Sequence, residues 1–202
     1  MNAQAHVRPA RAADAEAAAY LLYESGGGMY DRFAGSRERA LRLLRRAFEE
    51  PGNNASAEVI EVAELEGEVA AVLAAFPVDE TPRRASAFLR IALRSVPPWR
   101  WPSALWLYWA GARAAPSPPR RSLYVDALAT ESGARRRGAA RALLSEAERK
   151  ARLNGLPAVA LDTALENRAA RSLYLDAGFR EVAYRSPARG LPGFVALVKP
   201  LS

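Results

Sequence analysis

From Tyr124 to Gly155 the chain reads YVDALATESGARRRGAARALLSEAERKARLNG, and this stretch decides how the rest is arranged. An alternating apolar run, the pattern of a strand, breaks at Ser132 and Gly133; three arginines and a glycine then open a helix that stops at Gly155. The first amides of a helix lack partners within it and, with the helix dipole, make a positive end that attracts phosphate. Gly138 lets the backbone approach an anion closely, Ala140 is nearly as small, and Arg135, Arg136 and Arg137 bring charge to the same end. The competing reading is a solvated arginine face. A Walker loop is excluded, because no Lys-Ser/Thr pair follows the glycine.

Downstream, PAVALDTAL reads as a strand, NRAARSLYLDAG as a helix, FREVAYRS as a strand and GFVALVKPL as a final strand. Within LDTALENRAARSLYLDAGFR lies N-x-x-A-x-x-x-Y-x-x-x-G-F. Steps of three and four put Asn167, Ala170 and Tyr174 on one helix face, and Gly178 is placed to end that helix. Taken singly, Asn167 reads as an N-cap, Tyr174 as a core aromatic and Gly178 as a stop.

Upstream, VRPARAADAEAAAYLLYE predicts a short strand and then a helix from about Asp14 as N-cap. GGGMYDRF breaks it, SRERALRLLRRAFEE resumes helical spacing up to Pro51-Gly52, and two runs around Glu66-Gly67 predict a β-hairpin whose second arm is weakened by alanine. Residues 82–119 differ. Two helices, RRASAFLRIALRS and PSALWLYWAGARA, are bracketed by prolines, and all four tryptophans fall here. This insertion either packs its aromatics on the body or walls a pocket for an apolar or aromatic acceptor.

In 202 residues half are apolar and charge of both signs is spread throughout, an ordinary globular composition read as one domain over 1–202. The net charge of +7, carried mostly by arginine, favours an anionic partner. Without cysteine there are no disulfides, thiolate metal sites or cysteine nucleophiles, and the one histidine, His6, lies in a terminus expected to fray. The opening residues lack the apolar core of a leader and no run approaches ~20 apolar residues, so a soluble cytoplasmic protein with no membrane partner is expected. Alternating strands and helices predict a mixed α+β layered fold with at least one parallel crossover.

R-x-x-G-x-A at Arg135 to Ala140, followed by N-x-x-A-x-x-x-Y-x-x-x-G-F at Asn167 to Phe179, resembles the GCN5-related N-acetyltransferase (GNAT) family. The two motifs stand in the family's order, separated by a helix and a strand. The resemblance implies a mostly antiparallel sheet of about seven strands, a splayed fourth and fifth strand, helices on both faces, and 82–119 as an insertion between the third and fourth strands. It implies acetyl-CoA as cosubstrate, with amides from Arg136 to Ala140 cradling the pyrophosphate and arginine side chains neutralising it. Backbone groups of Leu128 and Thr130 would pair with the pantetheine arm, a strand amide near Leu128 or Ala129 would hold the oxyanion, Asn167 would bind near the thiol end, and Tyr174 would be the general acid.

An alkylammonium titrates near 10.4, so a base is needed, and Asp126 or Asp162 could serve, as could a water chain. The expected activity is acyl transfer to a primary amine of a small molecule or peptide in a ternary complex, without a metal. The alternative is a catalytically silent CoA-binding sensor or structural module. A nucleic-acid partner is not expected, because the aromatics do not lie among the arginines of the turn. The helical insertion offers a surface for a homodimer.

Overall fold

The computed structural model describes residues 5–188 and 190–201; residues 1–4, part of the stretch read as lacking a leader, lie outside it. Its strands are β1 (His6–Pro9), β2 (Ile60–Leu65), β3 (Glu68–Pro77), β4 (Leu123–Thr130), β5 (Ala158–Ala164), β6 (Arg180–Arg185) and β7 (Phe194–Pro200). Its helices are α1 (Ala15–Ser25), α2 (Met29–Ala34), α3 (Arg37–Glu49), α4 (Thr81–Ser95), α5 (Trp101–Ala114), α6 (Ala139–Leu153) and α7 (Arg168–Asp176). The strands form one sheet in the order β1-β2-β3-β4-β5-β7-β6. Every neighbouring pair is antiparallel except β4 and β5, which α6 joins by a parallel crossover.

The expected hairpin is present: Glu66 (φ 57°) and Gly67 (φ 85°) make the two-residue left-handed turn that matches strand twist. Alanine does not unmake β3, because the strand is covered on both faces and small side chains let helices come close. Val72, Ala74 and Phe76 face a core built with α1 and α3, including Leu22, Leu43 and Phe48. Ala71 and Leu73 face the opposite core, where α6 contributes Leu143, Leu144 and Ala147. Burying a leucine of this kind contributes about 2 kcal/mol, so the two apolar stripes hold both helix layers to the sheet.

Three local expectations change. Asp14 stands at the N-cap position of α1, but its side chain bonds no amide of that helix; its carboxylate instead accepts the Arg11 amide at 2.6 Å and a two-pronged contact from Arg8 at 2.7 and 2.9 Å. His6 sits in β1, paired opposite Glu64, rather than fraying. The GGGMYDRF break contains a helix of its own, α2, entered through Gly28 (φ 82°) and left through Gly35 (φ 92°).

β4 and β5 pair only from Leu123 to Val125 against Val159 to Leu161. Beyond that, β4 stays with β3 as far as Thr130 and β5 stays with β7 as far as Ala164, so the two strands diverge into a wedge. Asp126 is part of the cause. Ala75 faces Val125 and Ala74 faces Ala127, so Asp126 is an extra, unpaired residue, a bulge that bends and twists β4.

Candidate active site in the wedge between β4 and β5

Asp126 and Asp162 are each the first residue past the last β4–β5 pair, so two carboxylates stand at the apex of the wedge. Asp162 accepts a hydrogen bond from the Tyr124 hydroxyl at 2.5 Å, and Asp126 accepts one from Asn54 Nδ2 at 2.9 Å. Asp126 keeps contact with water, yet protein crowds the wedge around it. That desolvation pushes its carboxyl up to about 7, with the Asn54 hydrogen bond pulling down and the charge of Asp162 pushing up. Burial also raises Asp162, against the hydrogen bond from Tyr124.

Three tyrosines complete the cluster. Burial holds the Tyr124 hydroxyl well above its usual value, with Asp162 and Asp126 adding to the effect. Tyr174 is pushed up to about 12 by burial and then by the charge of Asp162. Tyr30, on α2, is raised by burial and then by Asp126. Each group feels a carboxylate of the wedge, so α2, β4, β5 and α7 all deliver side chains to it. Tyr30 and Asn54 escaped the sequence reading because they lie in stretches read as loops. Tyr124 could have been found: it precedes Asp126 by two residues on the same strand.

At the carboxyl end of β4 the chain turns into α6. Glu131 accepts the Ser132 hydroxyl at 2.8 Å and the Ala134 amide at 3.1 Å, which ties the start of the turn together. Arg136 (φ 60°) and Gly138 (φ 91°) are both left-handed, and among the described residues the amides of 136–141 meet no acceptor. A Cβ on Gly138 would meet no protein atom within 4 Å, so the glycine serves the backbone conformation and the space outside the chain. Arg135, Arg136 and Arg137 are exposed. Arg137 pairs with Glu66 of the β2–β3 turn, whereas Arg135 and Arg136 make no ion pair among the described residues. A turn of orphan amides beside free cations fits a diphosphate.

Backbone donors alternate sides along a strand. Glu131 N–H donates to Ala70 O of β3 at 2.8 Å, so Ala129 N–H faces β3 as well. The N–H groups of Thr130 and Leu128 therefore face the wedge. Of the two candidate oxyanion donors, Leu128 and Ala129, the alternation favours Leu128.

At the carboxyl end of β5, Asn167 caps α7, its Oδ1 accepting the Ala170 amide at 3.2 Å while Nδ2 has no partner among the described residues. Ala170 is half-buried one turn on. The Tyr174 ring is buried against Phe179, 6.0 Å between centroids, and its hydroxyl makes no hydrogen bond among the described residues. Gly178 (φ 89°) ends the helix, with Phe179 N–H returning to Tyr174 O at 3.0 Å. The cap, core and stop readings of these residues are thus all observed, and they leave the Asn167 amide and the phenol hydroxyl uncommitted. Both signature segments sit at the carboxyl ends of the parallel pair, where ligands bind in open αβ sheets. Among the described residues no group of His, Asp and Glu side chains comes together that could hold a metal ion.

A cleft of about 480 Å³ opens between α5 and the β6–β7 connection, lined by Ala110, Arg113, Ala114, Tyr184, Leu191 and Pro192. Leu191 packs into the same core as Tyr30 and Tyr124. Of the insertion's aromatics, Phe88 packs against Tyr30 and Phe33 of α2 and Trp101 Nε1 donates to Leu93 O at 3.0 Å, while the tryptophan rings stay largely exposed and none of the four lines this cleft.

An N-acetyltransferase from Staphylococcus aureus Mu50 has a similar structure: TM-score 0.76, 19% identity, covering 96% of this chain and 100% of that one. A further acetyltransferase structure aligns over 98% of this chain and 100% of its own with TM-score 0.72 and 20% identity. A Drosophila melanogaster polyamine N-acetyltransferase aligns over 98% and 100% with TM-score 0.62 and 16% identity. These likenesses show a shared fold. No curated protein matches the chain. The sequence profile of the acetyltransferase (GNAT) family matches residues 29–179, which include the wedge, the amide-rich turn and α7, and the chain belongs to that family.

Proposed function

We propose that this protein transfers the acetyl group of acetyl-CoA to a primary amine of a small molecule or peptide, by direct attack while both substrates are bound. The observation that carries this reading is the pair of carboxylates at the wedge apex, one of them shifted to about 7, with the amide-rich turn and Tyr174 at the same end of the strands.

Acetyl-CoA supplies the activated acyl group. The amides of 136–140, with Arg135 and Arg136, hold its diphosphate, and Leu128 N–H takes the negative charge that gathers on the carbonyl oxygen. Asn167 offers Nδ2 toward the thiol end. Asp126 accepts the proton that the ammonium must lose. An ordinary carboxylate near 3.9 is a poor base for a group near 10.4, and a carboxyl at about 7 narrows that gap by up to about a thousandfold, less what water at the wedge screens. Asp162, held by Tyr124, supplies a neighbouring charge that adds to the burial raising Asp126.

Tyr174 remains protonated at neutral pH. A thiolate near 8.5 is too weak a base to strip a phenol at about 12, so Tyr174 stabilises the departing sulfur by donating a hydrogen bond. The test is amine-dependent CoA release. Tyr174→Phe is expected to lower kcat about a hundredfold with CoA affinity unchanged. Tight CoA binding without turnover on a broad amine panel would leave the silent CoA-binding module instead, and failure to bind CoA would remove both.

A further inference from the structure

From Trp101 to Ala114, α5 carries one charged residue, Arg113. Ala104 and Leu107 face the body, while Trp101, Leu105, Trp106 and Trp109 face outward. Steps of three and four along the helix gather that outward set on one side. Trp99, in the turn just before, is 79% exposed, and Trp109 is 56% exposed. A helix apolar on all sides belongs in a core or against a lipid phase, yet here one side is bare.

The charge around it is as uneven. Residues 81–125 contain eight arginines and no acidic residue, whereas the remaining 21 basic residues are slightly outnumbered by 22 acidic ones. The whole net positive charge thus resides in the segment that carries the tryptophans. Arg83, Arg84 and Arg94 are engaged by acidic residues. Arg90, which lines a groove with Trp101, and Arg113, whose guanidinium lies 5.4 Å over the Trp109 ring, are exposed and make no ion pair among the described residues, whereas Arg121 donates to Gly155 O beyond α6 at 3.5 Å.

We infer that this face docks flat on an anionic lipid bilayer. Tryptophan prefers the boundary between headgroups and acyl chains, and arginines attract the negative surface. At about 1.5 Å per residue α5 is far too short to span, and among the described residues no helix is long and apolar enough to cross a membrane. Lying in the interface makes no such demand, so the proposal departs from the expectation of no membrane partner without a spanning segment. A second copy of the chain fits less well, since a symmetric contact would oppose two uncompensated positive faces. A nucleic acid fits less well too: between Trp99 and Ala112 the one cation, Arg100, is half-buried and donates to Arg32 O at 3.0 Å, so exposed charge meets the rings at one end, where Arg113 lies 5.4 Å over Trp109, and does not alternate with them.

The proposal is independent of the reaction in the wedge. Its test is flotation of the full chain with vesicles of phosphatidylcholine alone and of phosphatidylcholine mixed with phosphatidylglycerol, alongside tryptophan emission. Binding to the mixed vesicles, weakened by salt and accompanied by a blue shift, is the expected result. The triple change Trp99→Ser, Trp106→Ser, Trp109→Ser should weaken binding by about tenfold or more, and Arg113→Gln or Arg90→Gln by about fivefold each. Should the triple variant fold poorly by circular dichroism, quenching of native emission by brominated lipid, reduced in Trp99→Ser, reads the same contact. No binding to the mixed vesicles overturns the proposal. So does tryptophan-dependent binding to nucleic acid in its place, or a dimer that the triple variant splits.

Discussion

Asn54→Ala is the most informative change for the wedge, because it alters the carboxylate without touching it. Asn54 Nδ2 donates to Asp126 Oδ2 at 2.9 Å and so favours the charged form of a carboxyl that burial raises, even with this bond in place, to about 7. A hydrogen bond to a charged group is worth about 1.5–3 kcal/mol, or about one to two pH units. Water reaches Asp126 and would replace part of the lost bond, so the lower end, about one pH unit, is expected.

If Asp126 accepts the substrate proton, only its ionised form works, and kcat falls as pH drops through about 7 in the native protein. In Asn54→Ala the same limb should lie near 8. At pH 7 the ionised fraction would fall from about one half to about one tenth, a loss of about fivefold that vanishes at alkaline pH. Asp162→Asn has the opposite sign: it removes the neighbouring negative charge and should move the limb down. Asp126→Asn should abolish the limb and lower kcat about 10²–10³-fold. The assay is thiol release at saturating amine and acetyl-CoA across mildly acid to alkaline pH. An unmoved limb in Asn54→Ala, or a limb surviving in Asp126→Asn, would refute Asp126 as the base.

Two further outcomes follow from the fold. Gly138→Val should cost about 1–2 kcal/mol in thermal unfolding from the left-handed backbone alone, since its Cβ meets no protein atom, while calorimetry should show CoA affinity falling tenfold or more as the turn is crowded. Asp14→Asn should cost about 2–3 kcal/mol in denaturant unfolding, because it breaks a buried contact to Arg8. The Arg8 guanidinium, then the Arg11 amide, hold the Asp14 carboxyl below its usual value against its burial. Its contribution is therefore complete above about pH 4 and is lost as pH falls through the depressed value, so the native protein's stability should drop in that acid window and the variant's should drop less.

What could be read from the chain alone was local. Helical spacing, the strand runs, the Glu66-Gly67 turn and the left-handed stop at Gly178 each depend on residues a few positions apart, and appear where the pattern put them. The element order followed, with the strand-helix-strand unit at Leu123 to Ala164 as a parallel crossover, whereas the splay of β4 from β5 was implied only by the resemblance to the GNAT family. α2 was missed because three glycines precede it, and the role of Asp14 was misread because its partner, Arg8, reaches it from another element.

The chemistry was legible only as candidates. Asp126 looks like any strand aspartate until the bulge turns it toward Asn54, 72 positions away, and until Asp162 and Tyr124 meet across the wedge. The outward turn of the tryptophans is likewise invisible to spacing, since α5 is apolar on both sides and periodicity alone cannot say which side the body takes. Backbone preference is set by near neighbours along the chain, whereas the charge state of a carboxyl and the facing of an apolar helix depend on what distant segments bring within a few ångströms; that division separates what the sequence by itself determined from what only the tertiary structure decided.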